Sequence, residues 1–275
     1  MAMAPYATPI EKVWYYTLRI ICAAVFVYLI APILVIMPLS FNSEMFFTYP
    51  MPGLSLRWYE DFFFNDRWTI ALKNSAIIAV STTILATILG TLAALGLSRA
   101  KFPARALVMG ILISPMVCPI VITGVAIFFL YSLVGLSNSY PGIILAHTVL
   151  ATPFVVITVT ATLMGFDHTL TRAAAGLGAN PIRSFFKVML PLILPGVLSG
   201  ALFAFVTSWD EVVVVLFIAS PEQRTLPKQM FSGIREIISP TITAAATVLI
   251  IMSIILLTTV ELLRRRGERL RGIRS

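Results

Sequence analysis

This sequence is poor in charge: Asp, Glu, Lys and Arg make up 12% of its 275 residues, about half the share of an ordinary soluble domain. Cysteine and histidine are scarcer still, with two of each. Cys22 and Cys118 stand inside apolar runs, without the spacing of a disulfide framework or a zinc site, and read as small packing residues. His147 and His168 are too few and too far apart to suggest a metal centre. A Gly-x-x-x-x-Gly-Lys-Ser/Thr phosphate loop is absent, which excludes that ATP site from this chain. No Ser/His/Asp or metal constellation emerges either. The chain therefore reads as not an enzyme and as binding no cofactor of its own.

What is abundant is apolar: 59% of the residues are hydrophobic. One soluble core cannot hide that many, and lipid is the solvent that resolves the excess. A hydrocarbon layer about 30 Å thick needs roughly 20 apolar helical residues to cross it. Six runs meet that length, at about Tyr16–Leu39, Ile70–Leu97, Ala106–Val134, Gly142–Met164, Val188–Ala219 and Thr241–Leu263. The fold class is all-α, a polytopic membrane protein of six transmembrane helices. The first run is too long for a signal-peptide core and is read as a retained anchor.

The formal net charge of +8 does not point to nucleic acid, because the basic residues collect at the ends of the apolar runs. With both termini cytoplasmic, the inner segments hold Lys12, Arg19, Arg99, Lys101, Arg105, Arg172, Arg183 and Lys187. Six arginines from Arg264 to Arg274 join them. The outer segments hold only Arg57, Arg67, Lys73, Arg224, Lys228 and Arg235. That bias predicts both termini inside. The outer residues 40–68 are rich in boundary aromatics such as Trp58, Tyr59 and Trp68. Ser220–Pro240 is long enough to fold back into the outer mouth as a short helix.

Two acids, Asp210 and Glu211, lie in the outer part of the fifth run. A charge at a membrane helix centre costs about 2.5–3.5 kcal/mol on insertion scales, so such residues are usually functional. Helical neighbours point about 100° apart, so the two cannot face one narrow path equally. Either one lines a pathway while the other pairs with a base such as Arg235 or Lys228, or both are structural. Ser208 and Trp209 precede them, and Trp209 offers either a cation–π face or a boundary anchor.

The richest stretch is Gly165–Pro191, between the fourth and fifth runs. It reads as two short helices with a sharp break. Thr169 can cap the first, Ala173, Ala174 and Ala175 form it, and Gly178 can end it in a left-handed conformation. Asn180 then caps a second, with Pro181 at its first position. Pro191 and Pro195 predict a bend at membrane entry. An Ala/Gly face permits close approach by another protein, although an ordinary re-entry loop would look similar on physical grounds alone.

These residues resemble the permease subunits of binding-protein-dependent ABC importers. That family carries a cytoplasmic loop of the form Glu-Ala-Ala, three residues, Gly, nine residues, Ile or Val, one residue, Leu-Pro. Here Ala173, Ala174, Gly178, Val188, Leu190 and Pro191 keep every spacing, while Arg172 stands where the family has Glu. The resemblance implies a type I importer transmembrane domain, with Ala173–Gly178 as a coupling helix docked on a separate ATPase. It places the first helix and outer loop at 1–69, the core at 70–263 and a basic cytoplasmic tail at 264–275.

Ser40-Phe41-Asn42-Ser43, Arg57-Trp58-Tyr59, Ser208-Trp209-Asp210-Glu211, Thr225-Leu226-Pro227, Phe231-Ser232, Arg235 and Ser239-Pro240 narrow the resemblance to the spermidine/putrescine branch. Thr241 departs from it, since that branch commonly has an acid there; related branches carry opines and amino-acid derivatives. The partners implied are an ATP-binding subunit dimer using ATP and Mg, a second and different permease, a periplasmic solute-binding protein and the bacterial inner membrane. A secondary transporter driven by an ion gradient, using Asp210 or Glu211, would explain the acids but not the spaced loop. A membrane scaffold without transport would explain neither.

Overall fold

The computed structural model describes residues 8–98, 104–236 and 238–270. Arg99, Lys101, Arg271 and Arg274 lie outside the described residues, as do the side chains of Arg264, Arg265, Arg266 and Arg269. The described chain is helical, with one isolated bridge between Asn42 and Leu54. It divides into two units: Met1–Phe63 with Ile237–Ile250, and Phe64–Glu236 with Ile251–Ser275.

The first unit opens with α1, Pro9–Leu39, whose start carries a reciprocal cap between Thr8 and Glu11. None of its residues is buried within the chain. Cys22 lies on it and is exposed, as is Cys118, so neither packs inside the chain as the sequence suggested. The amphipathic helix α2, Arg57–Phe64, buries Trp58 and Phe62. The last helix, α12, runs from Thr241 to Leu270, beyond the predicted end at Leu263.

The second unit is built on α3 (Asp66–Leu97), α6 (Tyr140–Met164) and α9 (Leu190–Trp209), which pack on one another. In lipid there is no hydrophobic drive between helices, so small residues that admit close approach carry the packing. A Cβ placed on Gly90 would stand 2.6 Å from the Val155 Cβ, and one on Gly200 would stand 2.6 Å from Thr158 Oγ1. Ala86, Ala94, Ala151, Val155, Val159, Ile193 and Ala204 fill the centre.

Among the described residues, five helices are long and apolar enough to cross a membrane, and a bent pair makes a sixth candidate, in keeping with the expected six. That pair corrects the third predicted span. Ala106–Val134 is two helices, α4 (Arg105–Val117) and α5 (Ile120–Val134), set at 104°. The break falls at Cys118–Pro119, where proline lacks an N–H and drives Cys118 into an extended conformation, φ −66° and ψ 136°.

The fifth span is corrected as well. Its helical run is Pro181–Trp209, joining the short α8 (Pro181–Ser184) to α9 through a π-helical turn, Phe185–Met189. Leu190 N–H there reaches back to Phe185 O, five residues away. Pro191 follows at once, and a proline ring crowds the carbonyl four residues earlier. The widened turn relieves that crowding. After Trp209 the helix stops, and α10, Val213–Ile218, begins anew. The fold-back segment does contain a short helix, α11, Leu226–Glu236.

Candidate functional site

The loop between α6 and α9 contains α7, Thr169–Gly176. Thr169 does not cap it. Asp167 does that work: one carboxylate oxygen accepts Thr169 N–H at 2.8 Å and the other accepts Thr169 Oγ1–H at 2.7 Å. The side-chain bond, then the backbone bond, hold the Asp167 carboxyl below its ordinary value. The negative charge that suits a helix start thus comes from Asp167, and Arg172 stands exposed one turn further on.

Gly178 ends the helix at φ +83°, the left-handed conformation its position demanded. Ala179 N–H closes back on Ala174 O at 3.0 Å. Asn180 accepts Arg183 N–H at 2.7 Å, with Pro181 at the first position of α8. Leu177 and Ile182, 90% and 70% exposed, leave apolar surface at the tip of this loop. Val188 and Leu190 sit in and just after the π-helical turn, and Pro191 in the first turn of α9.

At the other end of α9 the neighbouring acids diverge. Glu211 is buried, and its Oε1 accepts Val214 N–H at 2.7 Å, capping α10. Asp210 is exposed on a cavity of about 280 Å³, lined also by Phe205, Val206, Trp209 and by Met252, Ser253, Ile255, Leu256 and Thr259 of α12. The Trp209 ring is stacked on Phe205 with centroids 5.4 Å apart. Neither expected base meets an acid there. Lys228 Nζ donates to Ala219 O at 2.6 Å and to Val215 O at 3.3 Å. Burial first, and then the nearby Arg224 charge, lower its pKa. Arg235 lies over the Phe231 ring, 5.9 Å from the centroid. Ser208 is buried, and its Oγ is 2.8 Å from His147 Nδ1.

Two residues that the motif reading missed organise this end of the second unit. Asn74 of α3 donates from Nδ2 to Glu222 O at 2.9 Å and Arg224 O at 3.0 Å, and accepts from Tyr140 OH at 2.9 Å. Beside it, Ser75 Oγ accepts Leu226 N–H at 2.7 Å. His147 is the other. The signal for both was available in the sequence, as strongly polar side chains inside otherwise apolar runs.

In the first unit the outer motifs converge on one another. Ser40 Oγ meets Tyr59 OH at 2.6 Å, and Trp58 Nε1 donates to Asn42 O at 2.7 Å. Thr241 Oγ1 donates to Asp61 Oδ2 at 2.7 Å, so a carboxylate does reach the residue after Ser239-Pro240, from α2.

Comparison with known proteins agrees with this architecture. The sequence profile of the binding-protein-dependent transport system inner membrane component matches residues 86–270. The spermidine/putrescine transport system permease protein PotC of Haemophilus influenzae is 35% identical over 244 residues, covering 89% of this chain and 95% of that protein. The putrescine transport system permease protein PotI of Escherichia coli K12 is 34% identical, over 82% of each chain. Among solved structures, a chain of a bacterial ABC transporter that imports the acidic polysaccharide alginate superposes with a TM-score of 0.71. It covers 96% of this chain and 99% of that one at 16% identity, a likeness of fold alone. The chain belongs to the binding-protein-dependent transport system inner membrane component family, the permease subunits of ABC importers.

Proposed function

We propose that this permease lines the path by which a small organic cation of the polyamine class enters the bacterial cytoplasm. A second, different permease subunit completes the path, a periplasmic binding protein delivers the solute, and a pair of ATP-binding subunits with ATP and Mg drives the cycle. The ATPase pair docks on the loop carrying Arg172, Ala173, Ala174 and Gly178, with both termini of this chain on the same cytoplasmic side. Residues 70–263 form the transport core and 264–275 a basic cytoplasmic tail.

The observation that carries the solute class is the Asp210 cavity, a carboxylate beside stacked aromatic rings in a wall that is apolar apart from Ser253 and Thr259. That chemistry suits an ammonium group on a methylene chain. The names of the relatives point the same way. A second reading, an opine or amino-acid derivative, is favoured by Thr241 in place of the acid common to the polyamine branch.

Asp210→Asn tests the assignment in the reconstituted importer, with complex yield and polyamine uptake measured side by side. Normal yield with uptake reduced severalfold is expected. Intact uptake, or a loss matched by reduced yield, overturns the pathway role.

A further inference from the structure

The contact between α6 and α9 is a seam of small residues at a spacing of four. Gly196, Gly200, Ala204 and Ser208 lie along one ridge of α9. Gly196 rests on Thr162 and Gly200 on Thr158, so the helices run antiparallel in close contact. The Thr162 and Thr158 side chains fill the notches at Gly196 and Gly200, more than two turns before α9 ends.

The last pair on this seam is different in kind. His147 has no exposed surface, and its Nδ1 is 2.8 Å from Ser208 Oγ. Its Nε2 has no hydrogen-bond partner among the described residues, so Ser208 is the one polar contact of the ring there. Immediately beyond Ser208 the helix ends, and the chain turns at Asp210, φ −91° and ψ −2°. By helical spacing His147 shares a face of α6 with Ile143, Ala146 and Leu150, the face that receives α10. One buried ring therefore sits where α9 stops and α10 begins.

We infer that His147 is a positioning residue: its bond to Ser208 sets the register at which α9 ends, and so turns Asp210 to the cavity and Glu211 into the cap of α10. The inference rests on the proposed pathway role of Asp210 for its meaning in transport. A single buried polar pair fixing register between apolar helices is the best-attested use of such pairs. A hydrogen bond between membrane helices is a modest interaction, and here it holds only the last turn of α9, beyond the glycine notches.

The test reads the exposure of position 210 directly. Asp210→Cys is made in a chain carrying Cys22→Ser and Cys118→Ser, assembled with its partner subunits. The rate at which a small cationic methanethiosulfonate labels the introduced thiol is then measured per assembled complex. Adding His147→Leu is expected to slow labelling about fivefold or more, the factor for losing roughly 1 kcal/mol of preference. Ser208→Ala, which removes the same bond from its small side, is expected to do the same and decides the matter if the leucine variant does not assemble. His147→Asn, which keeps a polar group near the Nδ1 position, is expected to restore the rate. A labelling rate unchanged by Ser208→Ala, or equal for Leu and Asn at position 147, overturns the inference. Labelling that responds as described while Asp210→Asn transports normally would overturn the pathway role and leave the positioning role standing.

Discussion

Gly178 offers the cleanest perturbation of the coupling loop, because its space and its backbone can be separated. Its φ is +83°, and a Cβ built there would meet nothing within 4 Å. Any cost of substitution is therefore conformational. An L-residue in the left-handed region loses about 1–2 kcal/mol, and replacing Gly with Ala recovers about 0.4–1 kcal/mol through the unfolded chain. Gly178→Ala should accordingly cost the loop up to about 1.6 kcal/mol on those figures. Gly178→Asn should cost least, since asparagine tolerates that conformation, and Gly178→Val most, since a β-branched residue is an outlier there. The assay is solute uptake by the reconstituted importer, with ATPase association measured on the same preparation. Uptake should fall in the order Gly, Asn, Ala, Val while insertion of the chain into the membrane holds. Equal uptake across the series would refute the role of this turn in directing α7, and an Ala variant worse than Val would refute the backbone argument.

Arg172→Ala should weaken association with the ATP-binding subunits, measured by co-purification, because the exposed guanidinium is available to acidic or carbonyl surface; unchanged association makes it a bystander. The Asp167 cap carries a pH dependence of definite sign. Its carboxyl titrates below the ordinary value in the folded chain, so its contribution is held above the ordinary carboxylate pKa of about 4 and lost as pH falls through the lowered one. The hydrogen-exchange protection of Thr169 should drop in that acidic window, and Asp167→Ala should abolish the step. Glu211→Ala should lower complex yield, as the Val214 N–H loses its acceptor at a cost of about 1–3 kcal/mol; Glu211→Gln, which keeps an acceptor oxygen, should assemble normally.

The six apolar runs were legible because thickness of lipid converts directly into run length, and the observed helices fall on all of them. Gly178, Asn180 and Pro181 were legible for a similar reason: each residue type answers one local backbone need. Hydropathy is blind to interruptions inside a run. Pro119 was visible as a proline, yet the 104° bend it marks depends on α5 finding α10, through Gly124 set against Phe217. Thr169 was mistaken for a cap because Asp167, two residues earlier, takes both its hydroxyl and its own N–H, leaving the threonine a donor where a cap must accept. The outer motifs, chosen for their resemblance, gave no hint that Ser40 would meet Tyr59 or Thr241 would meet Asp61. Long-range pairs of this kind have no period to betray them.

The divergence of Asp210 and Glu211 shows how much a backbone break can do with two adjacent carboxylates. On a continuous helix they would stand about 100° apart and compete for similar surroundings. Non-helical backbone at membrane depth is tolerated only where it is buried in protein or lines a cavity. Here both conditions are met, one by each acid. Glu211 turns inward and supplies Val214 N–H with the acceptor that a continuing helix would have provided. Asp210 N–H still closes on Val206 O at 3.0 Å, which leaves its side chain free of any capping duty and open to the cavity. The break therefore needs an acceptor oxygen at 211 for its own hydrogen bonding, whereas the carboxylate at 210 has no such structural employment. That asymmetry, and not the shared charge, is the reason Asp210 is the one to test for transport.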